Sequence, residues 1–280
     1  SDVNRQISQP ALSESAPDGA ALFIPDGKTF VPTELSRGPW SPKALHGGPV
    51  AALAARAIEA DTGNDGLQVA RMTVELLRPV PLEPLTVGTS LFRPGKRVQL
   101  RDALIEADGV PVAAARALSI RVVPPDDGHL PASTEPEPAP PGPAEGAAAR
   151  SGPIEHAGFH NRGAELRFVR GQFGQIGPAT VWVRLRQPVV AGEQPSPLQR
   201  VMAAADFGNG VSAELDFGSG SFINPDLTVA LTRLPVGEWI CLDARTRLTA
   251  SGIGSAQSSL WDVSGRVGTA IQSLLVELGH

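Results

Sequence analysis

TVELLR, from Thr73 to Arg78, returns as TVALTR, from Thr228 to Arg233, and this echo decides the fold. Both copies read as strand segments. They lie 155 residues apart (228 − 73), and the later turn glycines Gly109 and Gly265 lie 156 apart (265 − 109). In each half an apolar helix pattern precedes the motif and a run of strands follows it.

In the first half a helix begins at His46-Gly47-Gly48-Pro49. Val50, Leu53, Ala54, Ala57 and Ile58 keep the helical period, while Arg56 and Glu59 point the other way. Strand patterns follow over 67–77, 85–92, 97–107 and 110–123, with Asp108-Gly109 as a tight-hairpin signal between the last two. The second half shows strands over 164–169 and 180–186, a helix from Ser196, then strands over 227–232, 239–249, 252–261 and 266–278. One helix with four or five antiparallel strands cannot bury both its faces alone. Two such units side by side can form one continuous sheet with a helix in each concave face. The class is therefore α+β, built by internal duplication.

The boundaries follow from composition. Residues 1–19 are polar and patternless and are expected to be mobile; 20–123 form the first unit and 154–280 the second. Residues 124–153 are a proline-rich linker, expected to span a distance without joining a core.

The helix of the second half carries the sharpest local signal. In SPLQRVMAAADFGN, Ser196 can cap, Pro197 suits the first helical position, and Gln199 can close a capping box. Leu198, Val201, Met202 and Ala205 make one apolar stripe, and Asp206 stands on its edge. A carboxylate there must be hydrogen-bonded, solvated, or tuned for chemistry. The plain alternative is an acid in water where the helix frays.

The totals exclude several classes. At 280 residues with 41% hydrophobic content the chain can bury a large core, and a net charge of −5 without like-charge blocks gives no footprint for nucleic acid. A single cysteine, Cys241, allows no intrachain disulfide and points to a reducing, cytoplasmic setting. No apolar run is long enough to span a membrane, and no spacing suits a metal site or a cofactor.

HGGPVAAL (His46 to Leu53), MTVELLRP (Met72 to Pro79), MAAADF, INPDLTVALTRLPVGEW (Ile223 to Trp239) and the closing DVSGRVGTAIQSLLVE, in this order, resemble the acyl-CoA thioesterase II type and its thioesterase-like relatives. The resemblance implies a double hotdog, an acyl-CoA or related thioester as substrate, and a homo-oligomer. It places Asp206, Asn224 and Gln272 as the polar set that holds and activates water. Asn224 stands where the family has a hydroxyl residue, and an amide can still orient water.

The repeat adds that Gln272 has Arg116 as its counterpart and Asp206 a position near Ala55, so the first half lacks the polar set. Backbone N–H groups near Asn209 to Val211 are candidate oxyanion donors. His46, with Gly47 and Gly48, can touch substrate, or cap its helix. Arg93, Lys96 and Arg97 can meet CoA phosphates, or form a solvated loop. Two other functions stay open: a non-catalytic acyl-thioester binder, favoured by Asn224, and a hotdog hydratase or dehydratase. The latter usually wants an Asp and His pair, and the second half offers only His156, His160 and His280, all outside the helix.

Overall fold

The computed structural model describes residues 19–63, 66–124, 131–133, 137–150, 154 and 156–279. The expected mobile start, apart from Gly19, His280 and parts of the linker lie outside these residues.

The chain opens with the hairpin β1 (Phe23–Asp26) and β2 (Thr29–Pro32) and enters α1 (Gly47–Thr62). Then come β3 (Leu67–Leu76), β4 (Leu85–Arg93), β5 (Val98–Ala107) and β6 (Val110–Arg121). Beyond the proline-rich segment lie β7 (Ala147–Ala148), β8 (Ala164–Arg170), β9 (Ala179–Leu185), α2 (Pro197–Ala205) and α3 (Gly208–Val211). The chain closes with β10 (Gly220–Ile223), β11 (Asp226–Leu231), β12 (Trp239–Leu248), β13 (Ile253–Asp262) and β14 (Gly265–Leu278).

Among the described residues the fourteen strands join in one sheet, ordered β1-β2-β4-β5-β6-β3-β11-β14-β13-β12-β9-β8-β7, with β10 on β14. The two repeat strands meet at its centre. Thr73 pairs with Thr228 in the antiparallel β3–β11 ladder, and their hydroxyls lie 3.0 Å apart. Equivalent residues facing each other place the pseudo-twofold axis of the duplication at this pair. The architecture is the double hotdog, with α1 packed on α2 and the sheet on both. Because α2 covers the side of α1 that the sheet does not, Ala51, Ala52 and Ala55 are buried along with the expected stripe.

Strand register corrects the repeat arithmetic. Thr73 pairs with Arg116 and Thr228 with Ile271, so the counterpart of Arg116 is Ile271, and that of Gln272 is the buried Ala117. Gly265 already belongs to β14, opposite Asp262, and the two-residue turn is Val263-Ser264. It corresponds to Asp108-Gly109, where Asp108 (φ 47°) and Gly109 (φ 72°) are both left-handed, as a tight hairpin turn requires. Both hairpins carry a bulge with one unpaired residue, Val112 in β6 and Val267 in β14, again 155 apart (267 − 112). A single offset of 155 thus runs through both halves of the sheet.

The described part of the linker is more than a tether. Trp182 Nε1 donates to the Pro141 carbonyl at 2.7 Å, Glu137 pairs with Arg266, and Ala147-Ala148 pairs with β8. Prolines cannot donate, but their carbonyls accept, so the segment docks on the second unit without entering its core. The units also interlock elsewhere: Leu22 and Phe23 donate to Pro188 O (3.0 Å) and Val189 O (2.9 Å), ahead of α2. No helix among the described residues is long and apolar enough to cross a membrane.

Candidate active site

Ser196 caps α2 as its sequence predicts, Oγ accepting from Gln199 N at 3.0 Å. The capping box does not close. Ser196 Oγ, while accepting from Gln199 N, also donates to Glu59 of α1 at 2.6 Å.

The helix stops where its apolar stripe ends. α2 ends at Ala205, Asp206 is its C-cap (φ −72°, ψ −9°), and α3 resumes at Gly208. The i→i−4 ladder breaks here: Phe207 N bonds to Ala204 O (3.1 Å), and Asn209 N turns to Gln272 Oε1 (2.8 Å). This break aims Asp206 inward. Its residue is 8% exposed, so the acid does not sit in water at a frayed end.

Asp206, Asn224 and Gln272 come together. Asp206 Oδ1 accepts from Asn224 Nδ2 at 2.9 Å and from Gln272 Nε2 at 3.0 Å. Gln272 Nε2 also donates to the Asp206 carbonyl at 3.0 Å, and its Oε1 is taken by Asn209 N. Both donors of that amide and one lone pair of its oxygen hold the break between α2 and α3, so Gln272 positions Asp206, and the second lone pair of Oε1 has no protein donor among the described residues. Asn224 Nδ2 divides between Asp206 and the Asp226 carbonyl (3.1 Å). The expected oxyanion donors are partly spent: Asn209 N serves Gln272, and Val211 N bonds to Phe207 O at 3.0 Å.

The remaining contact comes from the other half of the chain. His46 caps α1, Nδ1 accepting from Gly48 N at 3.0 Å, and the same Nδ1 lies 3.1 Å from Asp206 Oδ2. Phe159 and Phe207 pack on the ring with centroids at 5.1 and 4.7 Å. Gly47 and Gly48 make the approach possible. A Cβ on Gly47 would fall 2.7 Å from Asp206 Oδ2, and one on Gly48 2.5 Å from the Ala203 carbonyl. The glycine pair was the sequence signal: it marks a close approach, and what approaches is α2. An Asp and His pair therefore exists, with its histidine in the first unit.

Arg93, Lys96 and Arg97 are exposed around the β4–β5 turn, and no hydrogen bond or ion pair links them to Asp206 among the described residues. Nor do the described residues hold a group of three or more His, Cys, Asp and Glu suited to a metal.

His160 lies beside this site, and neither ring nitrogen has a partner among the described residues. Burial first, then the charges of His46 and His156, push its pKa from 6.5 down to about 4. Between those values the unfolded chain binds the proton and the folded chain does not. The neutral ring's advantage is therefore present above about 6.5 and is lost as pH falls toward 4. His160→Phe, next to the Phe173 ring, is expected to flatten this part of the melting temperature's pH dependence relative to the unaltered protein.

Comparison with known proteins gives the family and the fold. Residues 36–120 match the acyl-CoA thioesterase N-terminal domain and residues 131–276 the acyl-CoA thioesterase C-terminal domain. Among solved structures, a hot dog fold protein of unknown function from Alicyclobacillus acidocaldarius has a TM-score of 0.69 at 16% identity, covering 94% of this chain and 98% of that one. A proposed thioesterase II from Thermobifida fusca has a TM-score of 0.69 at 18% identity, covering 95% and 100%. The acyl-CoA thioesterase II from Mycobacterium marinum has a TM-score of 0.64 at 16% identity, covering 91% and 94%. No curated protein matches the chain in sequence.

Proposed function

Because this chain belongs to the acyl-CoA thioesterase family, we propose that it hydrolyses the thioester of an acyl-CoA, with Asp206 assisting the attack of water. The observation that carries this reading is a buried carboxylate at the meeting of two helix ends, held by two side-chain amides and facing a histidine. Water attacks a thioester slowly unless a base takes its proton and fixed dipoles meet the developing oxyanion. Asp206 supplies the negative charge in a site that excludes bulk solvent. Asn224 and Gln272 fix the carboxylate so that no reorganisation is needed as the proton moves. The Asn224 carbonyl stays free of protein donors among the described residues and is suited to accept from the attacking water.

The test is release of free CoA from a panel of acyl-CoAs of graded chain length. Thiol release with at least one of them is expected, and binding without release would favour an acyl-thioester-binding role. The Asp206 and His46 pair favours one further reading, hydration or dehydration of the acyl chain. It predicts loss or gain of the conjugated enoyl thioester with no free thiol.

A further inference from the structure

We propose that His46 Nε2 is the atom that receives the proton of the attacking water, and that Asp206 positions the ring through Nδ1. The proposal rests on the thioesterase reading and names its base.

Nδ1 has one in-plane position, filled either by a lone pair or by a proton. Two groups compete for it: Gly48 N–H at 3.0 Å and Asp206 Oδ2 at 3.1 Å. A bare Nδ1 could accept from Gly48, but it would then hold its lone pair beside a carboxylate oxygen, with both side chains more than 90% buried. A protonated Nδ1 pairs with the Oδ2 charge at 3.1 Å, although the aligned bond at that nitrogen is the one from Gly48 N, and it leaves only a first-turn N–H at the start of α1, where helices ordinarily carry unpaired donors. The second arrangement costs less, because it pairs the buried charge. Asp206 Oδ1 already has its two donors, so Oδ2 is the oxygen left to take a third.

This tautomer makes Nε2 the basic nitrogen. Nε2 has no hydrogen-bond partner among the described residues, and the His46 side chain keeps 8% of its surface exposed. Gly47 belongs to the same device, since any side chain there would drive Asp206 off the ring. The water oxygen bonds to the thioester carbon while one water proton passes to Nε2, and the imidazolium is held by Asp206. The tetrahedral species then expels the thiolate, and Nε2–H returns the proton to sulfur. Acid and thiol leave, and the ring is neutral again.

Long-range proton–nitrogen spectra of the protein labelled with nitrogen-15 in histidine test the pairing directly. For neutral His46, a protonated Nδ1 and a bare Nε2 are expected, shifting toward protonated Nε2 in Asp206→Asn, whose amide can donate to Nδ1. Protonated Nε2 in the unaltered protein would overturn the proposal. The kinetic partner is His46→Asn, which keeps a capping oxygen and an N–H for Asp206 but lacks Nε2. It is expected to melt near the unaltered protein, lose about 100-fold or more in kcat, and recover part of it with added imidazole. Unchanged kcat would reduce His46 to a cap. A protein that cleaves no acyl-CoA overturns the thioesterase reading alone, because the spectra decide the pairing without turnover.

Discussion

Asp206→Asn is expected to lower kcat for thioester hydrolysis by about 100- to 10,000-fold, the range for loss of a positioned acid–base group, while leaving the melting temperature nearly unchanged. The two effects separate for a geometric reason. Asn keeps an oxygen where Asp206 Oδ1 accepts from Asn224 (2.9 Å) and Gln272 (3.0 Å), so the break between α2 and α3 stays clamped. At the Oδ2 position it places an N–H, which faces His46 Nδ1 as a donor and satisfies it. What disappears is the negative charge, and with it the means of drawing a proton from water by either route, direct or through His46. Thiol release and a thermal melt on the same preparation give both numbers. Full activity in this variant would remove Asp206 from the chemistry, whatever its neighbours.

Gly48→Ala is expected to have the largest effect on stability, roughly 1–3 kcal/mol by the usual cost of overpacking. At roughly 2–4 °C per kcal/mol for a chain near this size, the melting temperature falls by several degrees. The added Cβ would lie 2.5 Å from the Ala203 carbonyl and 2.9 Å from Phe159 Cε1. The carbonyl belongs to the backbone of α2 and cannot rotate aside, so α1 and α2 must part. Because the same contact brings His46 to Asp206, activity is expected to fall further than stability alone explains. Gly88→Ala is the control: a Cβ there meets nothing within 4 Å, and the melt should not move. If Gly48→Ala melted like that control, the two helices would not be in close contact at this point.

How far the sequence reaches is clearest in individual residues. Asp108-Gly109 is legible because a left-handed pair is a local demand. Ser196 is legible as a cap because the bond it makes is three residues away. The proline-rich segment is harder to read: composition shows that it avoids a core, but not that the Pro141 carbonyl would meet Trp182 Nε1, 41 residues on. Gly109 and Gly265 misled because glycine serves turns and strand starts alike, and only the register tells them apart.

By itself the sequence determined the main helices and strands, their duplication and the position of Asp206 at the end of its helix, because period, capping and turn chemistry act over a few residues; Asn224 and Gln272 were reached only through the family resemblance. Tertiary structure alone decided that Thr73 would face Thr228 on the pseudo-twofold axis, that Gln272 would be spent on clamping Asp206, and that His46 would be its partner. Those outcomes depend on which edges of two similar units join and on how closely two helices approach. Both are settled by packing between residues far apart in the chain, where no local pattern carries the information.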